Sequence, residues 1–293
     1  MKIPIVLIIG LLLASGVFML NAQINFPRIS PACTIIQKIG LTEVRVDYAR
    51  PSMRGRKIIG KLVPYGRIWR VGANESTKLK ISDSLRVNGQ FLPKGTYALY
   101  AFPTETEWII VFHKNTSHWG DGRTNYDPAE DALRIKVKPQ KLLETQESFT
   151  IEFNRFSHQS AWMEWSWENT KIAFKMEVDT HAKVMAEIAQ QIENNPTAAT
   201  YYQAARYLQE EDRTPQQARQ WLIKAQELAG DKYYIHRVRS LVEAKLGNYE
   251  VALKHAQKSK AIAAELGKDE FVRMNDANIQ KWQYILSTNS TNK

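Results

Sequence analysis

The chain has 293 residues, 44% of them hydrophobic and 10% aromatic, and 40 Lys+Arg against 30 Asp+Glu leave a formal charge of +10. That composition excludes a disordered chain, a collagen-like repeat, a disulfide scaffold and a multi-span membrane protein. The length allows two domains of ordinary size, each able to bury its own core.

Residues 1–22 read as a targeting segment, with Lys2 ahead of an uncharged apolar run from Ile3 to Leu20. Asn21, Ala22 and Gln23 then supply the small and polar residues of a secretory signal, with cleavage after Ala22. An uncleaved anchor is the alternative, although the run is short of the usual span of about 20 residues and lacks a basic stop-transfer cluster. The sole cysteine, Cys33, leaves no internal disulfide; with no His placed beside it, it reads as structural or incidental.

From Glu43 to Val178 the apolar residues alternate with period two. Val44, Val46 and Tyr48 share a face, as do Leu79 and Ile81, then Leu85 and Val87 before an Asn88-Gly89 turn. Further runs lie at Thr96–Phe102, Glu107–His113, Leu133–Val137 and Phe149–Phe153. The last two are Ala161–Trp167 and Ile172–Met176. About nine short strands, with no helical pattern long enough for parallel crossovers, predict an antiparallel β-sandwich or jelly-roll domain over residues 23–180.

After His181 the period becomes 3.6. Amphipathic stretches run over 181–194, 198–211, 215–229, 232–246, 249–266 and 269–287, broken at Asn195-Pro196, Pro215, Gly230, Gly247 and Gly267. An offset of 34 residues aligns Ala204 with Val238, Leu208 with Val242, Ala218 with Ala252 and Leu228 with Ile262. That period predicts a degenerate tetratricopeptide-like helical repeat over residues 181–293, with a plain helical bundle as the alternative.

The charge is local. Between Arg45 and Arg70 stand eight basic side chains against Asp47 alone, whereas residues 23–180 as a whole carry 23 basic and 17 acidic groups. Such a patch attracts an anionic ligand, through arginine forks to carboxylate or phosphate or through an anionic glycan. Export argues against nucleic acid, and a solvated basic loop without a ligand is the other reading. No cofactor is expected, and the membrane enters only through the signal segment.

Arg50-Pro51, Gly55-Arg56, Gly60-Lys61-Leu62-Val63-Pro64-Tyr65-Gly66 and Trp69-Arg70-Val71-Gly72-Ala73-Asn74-Glu75 form one dense block. Together with Leu92-Pro93-Lys94-Gly95-Thr96-Tyr97, Trp108, Trp119-Gly120 and Tyr126-Asp127, it resembles the hallmark of domain-of-unknown-function family 2911, secreted bacterial proteins. The resemblance covers residues 30–178; the family pattern has Thr where this chain has Val71. It implies a fold and an exported location but no activity.

Pro64-Tyr65-Gly66 and Gly72-Ala73-Asn74 are turn chemistry, so Trp69 and Arg70 should sit on an excursion between strands. The candidate ligand site is Arg50, Arg54, Arg56, Trp69, Arg70, Asn74 and Glu75: a ring face, guanidinium forks, and an amide and a carboxylate for directional hydrogen bonds. The structural alternative pairs Arg70 with Glu75 and puts Trp69 in the core.

His113 and His118, with Asp121 and Asp127, lack any recognised metal-ligand spacing and read as solvated loop residues, so no metal is expected. Trp162 should point away from the core and be covered by the helical half. Glu164 and Glu168 should share its outward face about 13 Å apart by strand rise, too far for a glycosidase pair. No nucleophile elbow, His-Glu-x-x-His or phosphate loop is present. The expectation is therefore an exported binding module with an anionic or glycan site on the β domain and a protein partner on the helical repeat. Alternatives are an envelope hydrolase using Glu75 with Arg70 or His113, and a structural adaptor without a small-molecule site.

Overall fold

The computed structural model describes residues 26–118 and 124–291, so the targeting segment expected at 1–22 lies outside the described residues, as do Trp119, Gly120 and Asp121. Two antiparallel sheets come first in the chain and six helices follow. The strands are β1 Ala32–Ile39, β2 Thr42–Ala49, β3 Thr77–Ile81, β4 Leu85–Val87, β5 Gln90–Leu92, β6 Gly95–Pro103, β7 Trp108–His113, β8 Asp131–Val137, β9 Gln140–Asn154 and β10 Ser160–Glu177. A six-stranded sheet runs β1-β2-β3-β6-β7-β8 and a four-stranded sheet runs β5-β4-β10-β9. The period-two residues of both sheets meet in one core, with Val44, Leu79, Leu99, Ile110 and Phe112 on one side and Phe149, Met163, Trp165 and Phe174 on the other.

Two details of the strands follow from the pattern of apolar residues. In β10 the inward set is odd-numbered through Trp167 and even-numbered from Ile172, so a flat strand would turn half of it to solvent. The strand absorbs that change of phase in register shifts at Ser166/Glu168 and Glu168/Thr170, where Glu168 takes φ 54°. Two expected strands are therefore one. Strand β1 was not expected; it is an edge strand whose alternate residues are only half-buried, which leaves little apolar signal.

The central strands of the larger sheet are covered on both faces. Ala98, Tyr100 and Val111 are completely buried on the face opposite the main core, packed with Ile68, Phe102 and Tyr126. Continuous rather than alternating apolar residues at Ile109-Ile110-Val111-Phe112 are the corresponding signal.

The helices are α1 His181–Asn194, α2 Ala198–Glu210, α3 Pro215–Ala229, α4 Tyr233–Lys245, α5 Tyr249–Glu265 and α6 Asp269–Thr291. Thr197 caps α2 by accepting from the Thr200 amide at 3.2 Å, and Pro215 opens α3 where its missing N–H costs nothing. The offset of 34 superposes buried positions: Ala204 and Val238, Leu208 and Val242, Ala218 and Ala252 are all in the core. So are the unlike pairs Leu222 and Ala256, and Ala225 and Ser259, whereas Leu228 is exposed. The repeat is thus carried by burial more faithfully than by residue identity. No described helix is long and apolar enough to cross a membrane.

Polar contacts join the halves. At the β9–β10 turn His158 and Gln159 both bond the Glu211 carboxylate, and Asp83 pairs with Lys183 of α1. Trp162 is half-buried, and what lies over it is the Arg155 guanidinium, 4.8 Å from its ring, in place of the expected helical cover.

Inside the repeat, His236 Nε2 donates to Asp231 at 2.9 Å, and His236 Nδ1 and His255 Nδ1 share a hydrogen bond of 2.8 Å. Burial, then the nearby Arg239 charge, pushes His255 down from 6.5 to about 4. A depressed pKa means the unfolded chain binds the extra proton first, so this stability is present above pH 6.5 and lost as pH falls toward 4. Urea unfolding between pH 7 and pH 4.5 should show a loss of about 1–2 kcal/mol that is absent in His255→Gln.

Candidate functional site

Residues 50–76 connect β2 to β3 as an irregular excursion, and their backbone is held by both sheets. Phe149 N donates to Pro51 O at 2.9 Å and Met53 N to Glu147 O at 2.8 Å, fastening the start to β9. Trp69 and Ala101 exchange two backbone hydrogen bonds of 2.8 Å, fastening the end to β6. Ile58, Ile59 and Val63 drop into the core between these points.

Trp69 is buried against Phe149 at 5.2 Å and Trp108 at 6.0 Å, both edge-on, and stacks on Trp167 at 6.0 Å. Only 9% of it is exposed, so the open stacking face expected of a sugar platform is not there. After it the chain is strained. Val71 at φ 56° is a β-branched residue in the left-handed region, and Asn74 follows at φ 62°. Gly72, at φ 137°, brings the backbone so close to Ala49 that a Cβ would lie 2.9 Å from its carbonyl oxygen. Strain of this kind persists only where the surroundings impose it.

The excursion walls a cavity of about 470 Å³. Arg54, Arg56, Arg67 and Arg70 line it together with Trp69 and Trp167, and among the described residues no acidic side chain joins the wall. Arg56 is spoken for by its own loop, donating to Met53 O at 2.8 Å and Ser52 O at 2.7 Å. Arg54 and Arg67 are exposed and, among the described residues, make no ion pair.

Of the seven predicted site residues, the cavity gathers Arg54, Arg56, Trp69 and Arg70. Arg50 is elsewhere, clamping β9 through Phe149 O at 3.2 Å and Thr150 Oγ1 at 2.8 Å. Asn74 donates to Ser30 O at 3.2 Å, and with exposed Glu75 it borders a separate depression of about 170 Å³ beside Arg28, Asp47 and Lys78. Arg67 and Trp167 were not among the candidates. Arg67 was visible in the basic run, but Trp167 comes from the middle of β10, a hundred residues further along the chain, and nothing local marks it.

Glu164 stands on the outward side of β10 as expected, although it is buried there, whereas buried Glu168 departs from that face. Glu164 is held by Arg155 and Lys171, each at 3.2 Å. Glu168, turned by the bulge, accepts from the Ile59 amide at 3.0 Å and pairs with Lys57 at 2.9 Å, which ties the excursion to β10.

His113 and His118 are likewise buried, at 0% and 8% exposure, and are not solvated loop residues. They belong to the covered outer face of the larger sheet, where Asp131 Oδ1 accepts from His113 Nδ1 at 2.8 Å. Asp131 Oδ2 accepts from Tyr126 Oη at 2.7 Å and Arg134 Nε at 2.6 Å, and Tyr126 is pushed up by burial and by that carboxylate.

Burial raises the Glu168 carboxyl, but the Ile59 amide and the Lys57 ammonium outweigh it, so the group sits below its ordinary value of 4.5. A lowered folded pKa gives stability that is present above pH 4.5 and lost on acidification below it. Glu168→Gln should cost about 1–3 kcal/mol at neutral pH and lessen the acid sensitivity below pH 4.5, both read from urea midpoints.

A family model described as "Protein of unknown function (DUF2911)" matches residues 30–176. No curated protein and no solved structure matches the chain.

Proposed function

We propose that this chain, which belongs to the DUF2911 family, uses its β domain to bind an anionic ligand in the arginine-lined cavity. The observation that carries this reading is the imbalance of the wall: among the described residues, four guanidinium groups and no carboxylate around about 470 Å³. That volume suits a small molecule or the end of a larger one. A guanidinium offers paired donors that match carboxylate or phosphate geometry, and several in a concave wall sum their potentials.

The packing of Trp69 refines the ligand class. With its ring engaged by Trp108, Phe149 and Trp167, recognition falls to charge rather than to a sugar stacked on the indole. An anionic glycan would then be held by its carboxylate or sulfate groups. A hydrolase built on Glu75 has less support, because Glu75 is exposed on the neighbouring depression and not in the cavity wall.

Two parts of the reading rest on other features. Export rests on the apolar run from Ile3 to Leu20. A protein partner for the helical half rests on the 34-residue stacking and on a groove of about 370 Å³ between α1 and α2, lined in part by Val184, Ile188 and Tyr207.

The test is a thermal-shift series with phosphate, dicarboxylates and anionic glycans as separate arms. A ligand at 100 times its Kd stabilises by about 2.7 kcal/mol, a rise of several degrees in Tm. The rise should vanish in Arg54→Ala/Arg67→Ala, shrink with added salt and survive Glu75→Gln. A shift that the double variant retains removes the ligand from this cavity. A flat series leaves the structural adaptor.

A further inference from the structure

Three side chains of the outer-face cluster bring their ligating atoms within 4.8 Å of one another: His113, His118 and Glu130. Their elements explain the convergence. His113 ends β7 on the face away from the main core. The chain beyond it comes back over the sheet, where Lys114 N donates to Glu130 O at 2.9 Å and sets Glu130 beside the strand end. His118 arrives from the same connection, with its Nδ1 3.5 Å from the Tyr100 hydroxyl and its ring 5.4 Å from that of His113.

The proton positions then follow from the partners. Asp131 faces His113 Nδ1 at 2.8 Å, so Nδ1 carries the hydrogen, and in the neutral ring Nε2 then offers a lone pair. That Nε2 is buried and makes no hydrogen bond. Glu130 Oε2 lies 3.3 Å from it without forming a hydrogen bond. A lone pair and a carboxylate facing each other across this distance repel unless a proton or a metal ion stands between them. Two ligand atoms about 2.0–2.2 Å from a tetrahedral ion stand roughly 3.4 Å apart, which is the separation seen here.

We infer that His113, His118 and Glu130 form a binding site for a divalent transition-metal ion of the zinc class. Two imidazoles and one carboxylate are a donor set suited to such an ion. Asp131 is the positioning residue: it fixes the tautomer and angle of His113, as carboxylates behind metal-binding histidines do. Asp131 is itself held by Tyr126 and Arg134, so the support is complete before any ion arrives. Three ligands among the described residues leave a fourth position, and the 42% exposure of the Glu130 side chain lets water or a ligand reach it. The site is separate from the arginine-lined cavity and shares no residue with it.

The experiment takes the purified chain without a polyhistidine tag, stripped with chelator, and titrates it with Zn²⁺ in a calorimeter. Co²⁺ is titrated in parallel and read by its visible absorption. One equivalent of either ion is expected. Glu130→Gln and His118→Gln should each weaken binding at least about tenfold while far-UV circular dichroism stays unchanged. Asp131→Asn, which removes no ligand, should weaken it about 10- to 100-fold and alter the Co²⁺ bands. Glu130 is half exposed, so its variant tests the site without disturbing the core. No binding by the parent chain overturns the inference. Equal affinity in the parent, Glu130→Gln and His118→Gln overturns it too, since the ion would then sit elsewhere.

Discussion

A chain that leaves one strand of a sandwich and returns beside it without forming a strand must still satisfy its backbone polar groups as it crosses the core. Residues 50–76 face that constraint, and the solutions account for much of the β domain. The excursion borrows ladder positions from both sheets, β9 at its start and β6 at its end. Its middle is anchored by a side chain, the Glu168 carboxylate on the Ile59 amide. Glu168 can reach there only because β10 bulges, and the bulge exists because the inward set of β10 changes phase. A defect in one strand thus becomes the support of a loop more than a hundred residues earlier.

The charge distribution follows from the same architecture. Lys57 is neutralised by Glu168, Arg56 is absorbed by carbonyls of its own turn, and Arg50 by β9. Arg54 and Arg67 remain on the rim of the cavity, above an aromatic floor. A basic run that looked uniform along the chain therefore separates into structural cations and rim cations. The division rests on which carbonyls and carboxylates the fold brings near each one.

The two faces of the larger sheet serve different ends. Its inner face packs against β9 and β10 in the main core. Its outer face at β6 and β7 is covered by Ile68 and Tyr126, and that cover buries His113 and His118. Burial turns two ordinary histidines into groups whose every nitrogen must be accounted for. The helical half meets this domain through charged and amide side chains, such as His158 and Gln159 on Glu211.

Periodicity alone determined the succession of strands and helices, because burial on one face imposes a repeat of two or 3.6 residues that survives any later packing. The basic segment and its turns were legible for the same reason: charge and turn chemistry are local. The edge strand β1 escaped because a half-buried face leaves a weak pattern, and the join within β10 escaped because a bulge resembles a gap between strands. Only the tertiary structure decided which residues meet: Trp167 on Trp69, Glu168 on Ile59, and His113 with Glu130. Those contacts join positions far apart in the chain, and their distances are set by sheet order and loop closure rather than by any spacing along the sequence.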